Sequence, residues 1–86
     1  VELYTTDCCS FCRRAKGLLQ AKGVAFREVF LPREDLESHV RLSRRTGMAT
    51  MPQVLVDGRL LGGWDELSRL EAAGLLDAVL GGAAPG

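Results

Sequence analysis

Between Val1 and Phe30 the sequence writes a short apolar strand, a helix and a second strand, and this unit constrains the fold more than any other stretch. Val1-Glu2-Leu3-Tyr4 alternates as a strand, Thr5-Thr6-Asp7 carries turn and cap chemistry, and Phe11, Ala15, Leu18 and Leu19 recur at a helical period. Lys22-Gly23 supplies a stop, and Ala25 to Phe30 reads as a strand with mixed alternation. A strand, a helix and a strand in about thirty residues make a parallel pair with a right-handed crossover. One sheet with a helix on its face is therefore specified at the outset.

The remainder adds to that sheet. Leu31-Pro32 breaks the chain, and a second helix is expected from Glu34 to about Thr46, because Leu36 and Val40 lie four apart and Gly47 ends the pattern. Leu42 falls off that stripe. After the loop Gly47 to Pro52 comes the strand Gln53-Val54-Leu55-Val56. Asp57-Gly58 is a strong two-residue hairpin signal, which returns the chain as Arg59-Leu60-Leu61. Gly62-Gly63 opens the next loop, Asp65 can cap a third helix carrying Leu67 and Leu70, and Gly74 interrupts it. Leu75 to Leu80 continue as a short apolar helix; Leu67, Leu70, Leu75, Leu76 and Val79 read as core. The order is βαβαββα, an α/β fold with a four-stranded mixed sheet flanked by helices. It forms one domain over residues 1–80, followed by a flexible C-terminal tail at 81–86.

Composition removes several classes of function. Among 86 residues, 47% hydrophobic, no apolar run approaches the roughly 18 that a membrane helix needs, so a cytoplasmic protein without a membrane partner is expected. Eleven basic and eleven acidic side chains cancel, with no basic stripe interleaved with aromatics, which argues against nucleic acid as partner. Arg41, Arg44 and Arg45 read as a solvated helix face. The three cysteines, Cys8, Cys9 and Cys12, fall within five positions and so do not cross-link distant segments.

Cys9-Ser10-Phe11-Cys12 carries the chemistry. The pair opens the first helix, where unpaired N-H groups and partial positive charge favour a thiolate over a thiol. A free cysteine is only about 3% ionised at neutral pH, whereas C-x-x-C cysteines at helix starts ionise at much lower pH. Cys9 is the expected nucleophile. Spacing three puts Cys12 one turn on, within reach of a mixed disulfide formed at Cys9. A structural zinc site is disfavoured because it needs four ligands and there is no second C-x-x-C. Cys8 reads as a bystander, since adjacent cysteines rarely reach ordinary disulfide geometry. Arg13 and Arg14 read as surface charge.

Three segments in register, Cys9-Ser10-Phe11-Cys12-Arg13-Arg14-Ala15-Lys16, Thr50-Met51-Pro52-Gln53 and Gly62-Gly63-Trp64-Asp65-Glu66-Leu67, resemble the glutaredoxins, particularly the short dithiol bacterial type. The resemblance implies a thioredoxin-like fold, a cis peptide bond before Pro52, and glutathione as co-substrate. Catalysis would fall to Cys9 and Cys12. Glutathione would be held by Phe11, Thr50, Met51, Pro52, Gly63, Trp64 and Asp65, with its cysteinyl part paired main chain to main chain with Met51. The α-carboxylate of its γ-glutamyl end would meet helix-start N-H groups, and the ammonium the Asp65 carboxylate. The implied partners are glutathione and disulfide-containing or glutathionylated proteins, met by a monomer.

The sequence departs from the family at the grip on glutathione's glycine carboxylate. Thr6 stands where a lysine is common, and Met48 and Ala49 where basic or amide residues are common; His39, thirteen positions before Pro52, is the expected replacement. Two rival readings accompany the oxidoreductase. One is a [2Fe-2S] carrier, in which two chains each give Cys9 and two glutathiones complete four thiolates, favoured by Ser10 in place of proline. The other is an electron donor served by thioredoxin reductase.

Overall fold

The computed structural model describes residues 1–81; the remainder of the expected tail, residues 82–86, lies outside the described residues. The elements are β1 (Glu2–Thr5), α1 (Ser10–Ala21), β2 (Arg27–Phe30), α2 (Leu36–Thr46), β3 (Gln53–Val56), β4 (Arg59–Gly62), α3 (Trp64–Ala72) and α4 (Leu76–Val79). The sheet order is β2-β1-β3-β4. β1 runs parallel to β2, with Leu3 opposite Glu28, and antiparallel to β3, with Leu3 opposite Val54. The βαβ unit read from the sequence is therefore present, and the hairpin adds the two antiparallel strands. Asp57 and Gly58 both take positive φ, 53° and 81°, as the tight hairpin turn demands.

Alternation along β1 and β3 divides the core between the two faces of the sheet. Leu3 and Val54 point to a cluster with Ala15, Leu19, Leu67, Leu76 and Leu80, which seats α1, α3 and α4. Tyr4 and Leu55 point the other way and meet Leu42 of α2. Leu3, Leu19, Leu55, Leu67 and Leu76 are among the largest fully buried side chains. Each contributes about 1.5–3 kcal/mol by leaving water. The fold is helix, sheet, helix in three layers.

Several expectations need correction. The second helix starts at Leu36, with Asp35 as N-cap accepting from the Ser38 N-H at 3.2 Å. Its buried residue is Leu42, while Leu36 and Val40 are 70% and 48% exposed. Beside Leu42 the half-buried residues of this helix are the polar Ser38, His39, Ser43 and Thr46, so the apolar period pointed to the exposed face. Within the final helices Leu75 and Val79 are exposed, and Leu80 takes the buried place instead. Asp65 is not the cap of α3. Gly63 is, and the Glu66 side chain reaches back to accept the Gly63 N-H at 2.8 Å, one half of a capping box.

Candidate active site

The N-cap of α1 is Cys9 itself rather than the hydroxyls and carboxylate before it. Its backbone is extended (φ −129°, ψ 103°), and its Sγ accepts the Cys12 N-H at 3.2 Å, the role a serine or aspartate oxygen ordinarily fills. A negative sulfur there satisfies one of the orphan donors of the first turn and sits at the positive end of a twelve-residue helix. Cys9 is half-buried, Cys12 is buried and Cys8 is exposed. All three are free thiols.

Burial pushes the Cys12 thiol up to about 12; the hydrogen bond it shares with Cys9 and the nearby Glu28 charge act in the same direction. Cys12 thus stays protonated at neutral pH and has a proton to offer a Cys9 thiolate. The two sulfurs are unequal, with the accessible one capped by an N-H and the hidden one held as a thiol. They line a groove of about 210 Å³ together with Thr6, Asp7, Arg13 and Phe30. At its base the Glu28 carboxylate accepts from the Thr5 hydroxyl at 2.7 Å and pairs with Lys16 at 2.8 Å, tying β1, α1 and β2 together beside Cys12. The Lys16 ammonium first, then the Thr5 hydroxyl, holds Glu28 below the usual carboxylate range.

Opposite the cysteines runs the loop before β3. The Met51-Pro52 peptide bond is cis, as the family resemblance implied, and the Met51 carbonyl oxygen lies 3.9 Å from Cys9 Sγ. Sequence reading gave no role to Gln53, which holds this loop. Its side chain is buried, and its Nε2 donates to the Met48 carbonyl at 2.8 Å and the Thr50 carbonyl at 3.0 Å. Two loop carbonyls are thereby fastened to the first residue of β3. The signal for it was present in the sequence, since an amide directly after Pro52 interrupts an otherwise apolar strand.

A second groove, of about 430 Å³, is lined by Phe11, Met48, Thr50, Met51, Pro52, Gly63, Trp64, Asp65 and Glu66. The structure thus brings together seven of the expected binding residues and adds Met48 and Glu66. Trp64 both lines this groove and packs on the core. The first-turn N-H groups of α3 have no intrahelical partner, and Gly63, Trp64, Asp65 and Glu66 at that helix start all line the groove. One of them is already used: the Gly63 N-H, bonded to Glu66, holds that carboxyl below its usual range. Gly63 packs closely, since an added Cβ would stand 3.0 Å from the Pro52 carbonyl oxygen and 2.7 Å from Met48 Cε, the mobile end of a flexible side chain. The helix start and the cis-proline loop touch at that glycine.

His39 is not brought to this groove. Its Nε2 lies 3.1 Å from both the Leu31 and Pro32 carbonyl oxygens, so the imidazole is engaged with the connection leading into α2. The glycine-carboxylate contact expected of it has no geometric basis. Cys8 holds a left-handed backbone at φ 53° beside Cys9. A concavity of about 420 Å³ over Leu36, Val40, Arg41 and Arg44 on α2 shares no residue with either cysteine-side groove. Among the described residues no group of three or more His, Cys, Asp or Glu side chains is placed to hold a metal. No helix among the described residues is long and apolar enough to cross a membrane.

Comparison with known proteins matches this geometry to one family. The glutaredoxin family pattern matches residues 1–61. Over 80 residues the chain is 45% identical to a glutaredoxin of Pseudomonas aeruginosa, covering 93% of this chain and 94% of that protein. Over 81 residues it is 42% identical to glutaredoxin 3 of Escherichia coli K12, covering 93% and 95% respectively. The solution structure of a glutaredoxin from Brucella melitensis superposes with a TM-score of 0.78 at 37% identity, covering 92% of this chain and 85% of that one. With its sheet order, cis-proline loop and helix-capping cysteine, the chain has the thioredoxin-like fold and belongs to the glutaredoxin family of thiol-disulfide oxidoreductases.

Proposed function

We propose that this protein reduces protein disulfides and glutathione mixed disulfides, with Cys9 as nucleophile, Cys12 as resolving thiol and glutathione as co-substrate. The observation that carries the reading is the Cys12 N-H on Cys9 Sγ, at 3.2 Å, beside the Met51 carbonyl and the groove beyond it. A disulfide is cleaved only by a thiolate in line with it. Cys9 is the sulfur that is both reachable and offered an N-H donor.

The cycle follows from the placement of the groups. The Cys9 thiolate attacks the glutathione sulfur of a mixed disulfide; the Cys9-glutathione bond forms, the old S-S bond breaks, and the protein thiolate departs with the electron pair. Glutathione then lies along Thr50-Met51-Pro52, with its γ-glutamyl end at the start of α3, where Asp65 faces the ammonium and free N-H groups face the carboxylate. A second glutathione thiolate releases oxidised glutathione and restores Cys9. With a protein disulfide, Cys12 attacks Cys9 instead, its proton passing to the departing thiolate.

Turnover of a glutathionylated test peptide, with glutathione and glutathione reductase as the recycling system, tests this. Rapid turnover is expected. A protein idle in that assay but active with thioredoxin reductase, or one that purifies anaerobically with glutathione as a coloured dimer, would move the assignment to the corresponding rival.

A further inference from the structure

Three of the residues that follow Cys9 share its side of α1. Cys9, Cys12, Arg13 and Lys16 stand at spacings of three, four and seven, which is one stripe of a helix, and all four line the groove of about 210 Å³ that holds the reactive sulfur. Glu28 and Phe30, two apart on one side of β2, line it as well. β2 is an edge strand, and Phe30 at its end is 53% exposed, a large ring left half in water beside the nucleophile.

This groove shares no residue with the one along the cis-proline loop. Cys9 adjoins the latter through the Met51 carbonyl, 3.9 Å from its Sγ, and lines the former directly. A mixed disulfide has two arms. With glutathione along Thr50-Met51-Pro52, the polypeptide arm is left the groove that Cys9 lines. Four charged side chains line that groove, and three are engaged. Lys16 pairs with Glu28 at 2.8 Å, and Asp7 accepts the Arg33 N-H at 2.7 Å and the Thr6 hydroxyl at 3.3 Å. Arg13 is exposed and, among the described residues, forms no salt bridge. A planar fork of N-H donors is thus present beside Cys9 with no carboxylate to meet.

We propose that the groove lined by Cys9 receives the polypeptide side of the disulfide, and that Arg13 selects proteins carrying an acidic residue next to the cysteine to be reduced. Phe30 supplies an apolar footing that is indifferent to charge. This rests on the glutathione reading above, which assigns the other groove.

The test uses three glutathionylated peptides that differ only at the two residues flanking the cysteine, with Glu, Gln or Lys at both, in the wild type, Arg13→Gln and Arg13→Lys. The readout is the ratio of kcat/KM between peptides within each protein. Flanking charge also acts on the departing thiol itself, equally in every protein, so a change of ratio between proteins belongs to position 13. The Glu-to-Gln ratio of the wild type should exceed that of Arg13→Gln by roughly twofold to fivefold, the range of one exposed ion pair. Arg13→Lys should keep the larger part of the preference, and about 0.5 M salt should erase most of it. Phe30→Ser should raise KM for all three peptides alike and leave the ratios as they are; an unaltered KM removes Phe30 from the docking surface. Equal ratios in the wild type and Arg13→Gln, whether or not turnover falls by a common factor, overturn the assignment of Arg13 and leave the glutathione reading intact. Turnover of none of the three peptides by the wild type overturns both.

Discussion

The Cys12 amide donates to the Cys9 sulfur, so the second cysteine serves the first through its backbone before it serves through its thiol. Side-chain replacement at position 12 leaves that N-H in place. Cys12→Ser should retain deglutathionylation of a peptide and lose reduction of a protein disulfide, whereas Cys9→Ser should lose both. Cys8→Ser should change neither. Parallel assays on the two substrate types check the division, and equal loss of both in Cys12→Ser would contradict it.

The buried thiol also has a signature in alkali. Cys12 holds its proton to about pH 12 in the folded protein, whereas an unfolded chain releases it near 9. Between those values the folded state carries the extra proton, so folding stability is intact below about pH 9 and declines as pH rises toward 12. Urea melts of the reduced protein at pH 8 and pH 10.5 should differ more in the wild type than in Cys12→Ala.

Gln53 braces the cis-proline loop with two hydrogen bonds from one buried amide. Gln53→Met keeps the volume and strands two carbonyls, at a cost of about 1–3 kcal/mol. For a domain of this size that lowers Tm by roughly 5–15 °C. KM for a glutathionylated peptide should rise alongside, because Thr50 and Met51 line the groove that the brace holds in shape.

Two adjacent glycines should respond differently to alanine. Gly62 sits at φ 145°, and a Cβ there would stand 2.6 Å from Glu66 Cβ, so Gly62→Ala should cost about 1–3 kcal/mol. At Gly63 the closest atom is the mobile end of Met48, and the Pro52 carbonyl must yield only slightly. Gly63→Ala should lose less stability but raise KM, a contrast that thermal melts and steady-state kinetics separate.

On α2, Leu42→Ala should destabilise by about 2–4 kcal/mol, the usual cost of truncating a core leucine. Leu36→Ser and Val40→Ser should fall within about 0.5 kcal/mol of the wild type. Denaturant midpoints of the three variants would confirm which face of the helix meets the sheet.

The strands, the hairpin and the cysteine-bearing helix were legible because each has its own local signal: alternation, Asp57-Gly58, and a C-x-x-C at a helix start. Where reading failed, packing used residues that carry no apolar mark. α2 buries Leu42 among half-buried Ser38, His39 and Thr46, so the apolar pair Leu36 and Val40 was misleading. Asp65 looked like a cap, yet Gly63 took that place, with the Glu66 side chain reaching back to its N-H. The groove-lining residues from Thr50 to Asp65 were named through family resemblance; their convergence depends on loop contacts that no local pattern encodes. Gln53 acts between the cis-proline loop and β3, and its part became visible only when the two were assembled.

β1 has neighbours on both sides, β2 on one edge and β3 on the other. The strand that delivers the chain to its reactive sulfur is therefore, like β3, held on both edges against fraying. Amide hydrogens of Leu3 and Tyr4 should be among the slowest to exchange with solvent, and oxidation should leave them undisturbed. Electron exchange at Cys9 then proceeds on a mount that does not yield, and adaptation to different partners is left to the loops around it.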